Sequence, residues 1–352
     1  MKQRMTVAVT SLALWLTAAC SAVGTAGDAS SGGANSTVVL LTHDSFAVSK
    51  KVLADFERES GLSVQTRAPG DAGALVNQLV LTKDAPLGDA VYGIDNAFAS
   101  RALEAGVLEP YRSPGAQEVA PGLQIDDTAR LTPIDYGDVC INTDRRWFAE
   151  RDLPEPRSLQ DLTDAAYEDL LVVSNPATSS PGLAFLLATI DAFGDPGWQE
   201  YWAALRDNGV KVVNGWSDAY FVDFSGSSGR GERPLVLSYA SSPPVEVSPG
   251  ERQAPTRALL DTCYRQVEYA GVIAGAENPE GAQQLIDFLL STSFQEDLPG
   301  QMYVYPADPD AQLPPDWERF APLSDDPYTV QPATIDAKRE QWIEQWTDVV
   351  VG

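Results

Sequence analysis

From Val38 onward the chain alternates short strand-forming runs with amphipathic stretches, and this alternation most restricts what it can fold into. VVLLT (38–42) reads as a buried strand. SFAVSKKVLADFERESG (45–61) places Val48, Val52, Leu53 and Phe56 on one helical face and stops at Gly61. LSVQT (62–66) is a strand, and DAGALVNQLVLTK (71–83) a helix with Asp71 as N-cap. DAVYGID (89–95) is a strand, and NAFASRALEAG (96–106) a helix closed by Gly106. Strand and helix by turns lead to a parallel, doubly wound α/β sheet.

A less regular middle follows, starting with PIDYGDVCINTD (133–144). Further on, CYRQVEYAGVIAGA (263–276) reads as a strand. EGAQQLIDFLLSTSFQEDL (280–298) reads as one helix with Ala282, Leu285, Ile286 and Leu289 inward. IDAKREQWIEQWTDVVV (335–351) is an amphipathic helix with Trp342 and Trp346 four apart on one face.

The first twenty residues set the compartment. Lys2 and Arg4 precede an uncharged apolar core and small residues ending at Cys20, the layout of a secretory signal too short to stay as a spanning helix. Small residues leading to a cysteine resemble the lipobox of bacterial lipoproteins. That resemblance implies a signal peptide over 1–19, cleavage before Cys20, and a lipid on its thiol that ties the protein to the outer face of the cell membrane. An ordinary signal with an incidental cysteine is the alternative. Residues 20–36 are rich in Gly, Ser and Ala and cannot bury enough apolar surface to offset their ordering entropy, so they read as a flexible tether.

Charge and rare residues exclude several functions. The net charge is −26, and without residues 1–19, which carry Lys2, Arg4 and no acid, it is −28, a poor match for nucleic acid or anionic lipid surfaces. His43 is the only histidine, so a cluster of histidine metal ligands cannot form. Dinucleotide and P-loop glycine motifs and a G-x-S-x-G elbow are absent, and neither a metal nor a cofactor is expected. A carboxylate pair for glycoside-type hydrolysis stays open, since acids are abundant. Two cysteines besides Cys20, Cys140 and Cys263, suit one disulfide in an exported chain; two separate thiols are the alternative.

Four stretches carry candidate ligand chemistry. THDSF (42–46) sets His43 and Asp44 at the carboxyl edge of the first strand, where open α/β sheets bind ligands. In PATSSPGLAFLL (176–187), Ser179 and Ser180 precede Pro181 at a helix start whose free amides suit an anion, although a plain cap explains the same residues. NGWSDAYF (214–221) clusters Trp216, Asp218 and Tyr220, equally consistent with core packing at helical spacing. LSYASSPP (237–244) ends a strand in Tyr239, Ala240, Ser241 and Ser242.

THDSF, GIDN (93–96), PIDYG (133–137), TSSPGL (178–183), GWSDAY (215–220) and LVLSYASSP (235–243) occur in the order seen in thiamine-binding proteins of ABC importers, and the chain resembles that family from about Val38 to WIEQW (342–346). The family implies a two-lobed, type II periplasmic-binding-protein-like α/β fold, each lobe a mixed sheet flanked by helices. One lobe would hold 37–134 plus 270–306 and the other 138–267 plus 310–352, which places Cys140 and Cys263 together in the second. Carried over position by position, the resemblance assigns Asp71, Ala72, Ser179, Ser180, Trp216, Tyr239, Ala240, Ser241 and Ser242 to the ligand. His43, Asp44, Asp95, Asp135, Asp218 and Tyr220 are further candidates.

The implied protein is a monomeric, non-enzymatic receptor for thiamine or its phosphates, partnered by an ABC permease and held to the membrane through Cys20. The alternatives are a receptor for another small cationic or phosphonate ligand, and an anchored carboxylate-based hydrolase. Two departures from the family stand on the first lobe's side: His43 replaces a tyrosine, and AVSKK (47–51) lacks an expected tryptophan. The adjacent tyrosine pair of ferric receptors is also absent, since Ala240 follows Tyr239.

Overall fold

A computed structural model describes residues 36–228 and 231–352, and the signal, Cys20 and most of the tether lie outside them. The described strands are β1 (Thr37–Thr42), β2 (Ser63–Arg67), β3 (Ala90–Asp95), β4 (Leu108–Glu109), β5 (Thr132–Asp144) and β6 (Leu171–Ser174). After them come β7 (Lys211–Val213), β8 (Leu235–Tyr239), β9 (Thr256–Ala258), β10 (Tyr264–Ile273) and β11 (Tyr305–Pro306). They run in the order β2-β1-β3-β10-β5-β8-β6-β7, with β4 on β10 and both β9 and β11 on β5.

The sheet is mixed rather than wholly parallel. β2, β1 and β3 pair in parallel, as do β8, β6 and β7, while β10 and β5 run antiparallel to their neighbours at the centre. The alternation rule therefore describes the two outer thirds and fails at the middle. There the long strands β5 and β10 join both thirds, as a two-lobed α/β fold requires. β10 shifts register against β5 between Glu268 and Tyr269, and against β3 between Tyr269 and Ala270. β11 pairs with β5 at Tyr136 and Asp135, beside those bulges. A bulge bends a strand and re-aims its side chains, which suits a crossing between two sheets.

The helices follow from their caps. Lys50–Ser60 starts at the Ser49 cap and ends at left-handed Gly61, so the leading SFAV stays outside the helix. Asp71 caps Ala72–Leu81, and Gly106 closes Ala99–Ala105 in the left-handed conformation. Ser179 caps Ser180–Phe193, its hydroxyl accepting from the Gly182 amide at 3.4 Å. The single helix read over 280–298 breaks into Pro279–Leu289, Thr292–Gln295 and Leu298–Met302, because Ser291 caps a new turn. Ala282, Leu285, Ile286 and Leu289 are buried as expected, and so are Trp342 and Trp346 of the last helix, Pro332–Val350.

Cys140 and Cys263 are disulfide-bonded, with Cα atoms 4.2 Å apart, beside the β5–β10 pairing. From Asn35 to Gly352 the chain packs as one compact body.

Candidate ligand cleft

The carboxyl ends of β1, β3, β6 and β8 converge on the central strands, and the candidate residues of all four stretches meet there. Two kinds of wall face each other.

The first wall is ionisable. His43 follows β1, Tyr92 lies in β3, Asp135 in β5, and Gln266 and Glu268 in β10; all are buried. The Tyr92 hydroxyl donates to Asp135 Oδ2 and approaches Glu268 Oε2 at 3.3 Å. His43 Nε2 stands 3.6 Å from Glu268 Oε2, and its Nδ1 lies 2.9 Å from the Ser45 hydroxyl. Gly93, at φ +97°, makes room for the imidazole: a Cβ there would lie 2.1 Å from His43 Cδ2. Gln266 Nε2 donates to the Tyr239 hydroxyl at 3.0 Å and to Glu268 Oε1 at 3.2 Å, linking this wall to the next.

The charges of this wall follow from burial and neighbours. Burial alone would lower the His43 pKa, but Glu268, with smaller help from Asp71 and Asp44, raises it above the ordinary histidine value. Burial would raise Glu268, yet His43 and hydrogen bonds from Asp135 and Tyr92 leave it below the usual glutamate value. Asp135 is pushed well above the carboxylate range by burial and by Glu268. These directions favour the charged forms of His43 and Glu268 and the protonated form of Asp135.

The second wall is aromatic. Trp216 stacks on Tyr220 with centroids 5.0 Å apart and planes at 17°. Tyr239 and Tyr303 meet the indole edge-on at 6.2 and 6.0 Å. Trp216 Nε1 donates to the Ser238 hydroxyl at 2.9 Å, which lies 2.8 Å from that of Ser242. Ser241 donates to the Tyr303 carbonyl, and the Tyr220 hydroxyl donates to Glu246 at 3.0 Å. Burial raises Glu246 to about 7, with Tyr220 opposing. Trp216 and Tyr220 lie at helical spacing as read, with Tyr220 inside a π-helical turn over Asp218–Asp223 and Trp216 just before it.

Asp71 joins the walls. One carboxylate oxygen accepts from the Ala72 amide at 2.6 Å and the other from the Trp216 amide at 3.0 Å. The Gly73 amide donates to the Thr178 carbonyl at 3.1 Å, and a Cβ on Gly73 would lie 2.8 Å from the Ala177 carbonyl oxygen. Around this seam Asp44 and Asp218 are exposed. Burial, then Asp71 and also Asp218, raise the Asp44 pKa, with His43 opposing.

Ser179 and Ser180 are buried rather than open to an anion. Asp95 lies near Ser180; its other partners are the Ala97 and Phe98 amides, each at 2.8 Å. Burial, opposed by Ser180 and those amides, lifts Asp95 to about 6. Ala72 and Ala240 are buried and contribute backbone and close packing. The sequence reading did not single out Tyr92, Glu246, Gln266, Glu268 and Tyr303. Gln266 and Glu268 were visible as polar residues inside the apolar run YRQVEYAGVI, an unusual pattern for a central strand.

A protein-family model for bacterial extracellular solute-binding proteins matches residues 86–242. The thiamine-binding periplasmic protein of Escherichia coli is 30% identical over 319 residues, spanning 89% of this chain and 93% of its own. The solved structure of a periplasmic thiamin binding protein superposes with a TM-score of 0.79 at 28% identity, covering 89% of this chain and 96% of that one. Iron-bound HitA from Pseudomonas aeruginosa shares the fold, with a TM-score of 0.69 at 21% identity over 89% of this chain and 99% of its own.

Proposed function

The chain belongs to the family of thiamine-binding periplasmic proteins, among bacterial extracellular solute-binding proteins, and from that premise we propose that it captures thiamine or a thiamine phosphate outside the cell membrane and delivers it to an ABC importer. The carrying observation is the placement of the Trp216, Tyr220, Tyr239 and Tyr303 rings beside Asp44, Asp71, Asp218 and Glu246. A thiazolium is a flat cation. An indole face attracts it by about 0.5–2 kcal/mol, and a charge-assisted hydrogen bond contributes about 1.5–3 kcal/mol. Nanomolar capture needs about 12 kcal/mol, so the rings, carboxylates and burial must act together.

In this reading the lobes are 37–134 plus 270–306 and 138–267 plus 310–352. The β10 register shifts and the β11 pairing support a hinge at their junctions. Opening would part Asp71 from the Trp216 amide and Gly73 from Thr178, admitting ligand between the walls. Asp71 then has two roles: it positions Trp216 in the closed form and presents a carboxylate to a cation when the walls part. The Ser179–Ser180 helix start, buried in the closed form, would take the hydroxyl or phosphate end once the walls part. Ser241 and Ser242 would bond the polar edge of the ring that Tyr239 covers. Binding, with no covalent step, is the whole activity, and the protein is a monomer tethered by lipid on Cys20.

Calorimetric titration of ligand-stripped protein with thiamine, its mono- and diphosphate, ferric iron and an aminophosphonate tests this. Submicromolar binding of a thiamine form alone is expected. Silence toward every thiamine form would sink the ligand assignment and make His43 and the missing tryptophan the marks of a different cation.

A further inference from the structure

Away from the cleft, a cavity of about 330 Å³ is lined by Arg145, Arg252, Arg257 and Arg319, with no acidic residue among the described residues that line it. This is unexpected in a chain with 50 acids against 24 bases. Arg257 pairs with Glu155 at 2.9 Å. Arg145, Arg252 and Arg319 have no carboxylate partner among the described residues.

Two of these guanidinium groups are held in place. Arg145 donates to the Ala254 carbonyl at 3.2 Å and to Gln253 Oε1 at 3.4 Å, while its Nε is buried without a partner. Arg319 donates to the Arg252 carbonyl and lies 4.7 Å from the centre of the Phe320 ring. Thr256 lines the same cavity, 2% exposed, and its buried hydroxyl also lacks a partner. Arg145, Arg252 and Arg319 bring mutually repelling like charges to one cavity without carboxylate partners among the described residues, and a buried hydroxyl without a partner is unfavourable. One occupant relieves both: a compact ion with several oxygens, which guanidinium forks bind bidentately and a hydroxyl donates to.

We propose that Arg145, Arg252, Arg257, Arg319 and Thr256 form a binding site for a phosphate-type oxyanion, separate from the cleft. The same chemistry is presented by free phosphate and by the headgroup of an anionic phospholipid, and the test separates the two. The protein is titrated at constant ionic strength with inorganic phosphate, pyrophosphate, phosphatidylglycerol vesicles and phosphatidylcholine vesicles. Saturable binding of the free anions, or of phosphatidylglycerol vesicles alone, is the expected result and identifies the source. Arg252→Gln with Arg319→Gln weakens that binding by at least about tenfold, while affinity for thiamine is unchanged. Thr256→Val, which keeps charge and shape, weakens it a few-fold. Silence toward all anionic probes, or undiminished binding in folded double-Gln protein, overturns the site.

Discussion

The two walls of the candidate cleft are built from opposite materials. The wall from β1, β3, β5 and β10 is a buried network of His43, Tyr92, Asp135 and Glu268 in mutual contact. The wall from β8 and the Asp218–Asp223 turn is a set of rings, with hydroxyls at its edge. Rings offer contact area to any flat solute at little conformational cost, whereas a buried ionic network is costly unless complete. The second wall should therefore govern affinity, and the first should govern stability and its pH dependence.

The largest expected effect falls on the ionic wall. Glu268→Gln leaves His43 and Asp135 without their shared partner, and urea unfolding should show a loss of about 3 kcal/mol. Asp135→Asn should cost less than about 1 kcal/mol, since burial and Glu268 push the Asp135 pKa upward and a neutral amide replaces a group whose protonated form is favoured. Equal losses in the two variants would remove the asymmetry between these carboxyls.

On the aromatic wall, Trp216→Ala should weaken thiamine binding by at least about tenfold, or ~1.4 kcal/mol, with the fold intact by circular dichroism. Unchanged affinity in folded protein would take the indole out of the site.

Protonation distinguishes the walls more finely. The His43–Glu268 pair contributes stability that fades as pH rises through the elevated His43 value, and again as pH falls through the depressed Glu268 value. Glu246 has the opposite sign to Glu268. Its folded form holds a proton more tightly than the unfolded chain, so stability declines as pH rises from the ordinary 4.5 toward about 7. Denaturant midpoints across this range should show that decline, and Glu246→Gln should flatten it.

The smallest effect is on affinity. A cation beside Glu246 favours its ionised form, so thiamine binding should strengthen a few-fold between about pH 6 and 8. Titrations of Glu246→Gln over the same range should lose that trend. A trend that persists would place the titrating group elsewhere, His43 first.

What could be read before the structure follows from locality. Asp71 and Ser179 announce their caps within three residues, Gly61 and Gly106 announce helix ends, and burial of Leu285, Ile286, Trp342 and Trp346 follows a 3.6-residue period. The family resemblance named Trp216 and Tyr239 because their motifs are short and contiguous. The break at Ser291 was missed because an apolar run hid a capping hydroxyl.

The sequence by itself therefore determined many of the local elements, the alternation that builds the first parallel third of the sheet, and the neighbourhoods of Trp216 and Tyr239. Tertiary structure alone decided the antiparallel centre, the π-helical turn that follows Trp216, and the bond from the Trp216 amide to Asp71. It also decided that Glu268 meets His43 across 225 positions and that four arginines share one cavity. Periodicity and caps are properties of neighbours along the chain. The charge state of Asp135, the partner of Asp71 and the counter-ions an arginine lacks depend on which distant segments burial brings into contact.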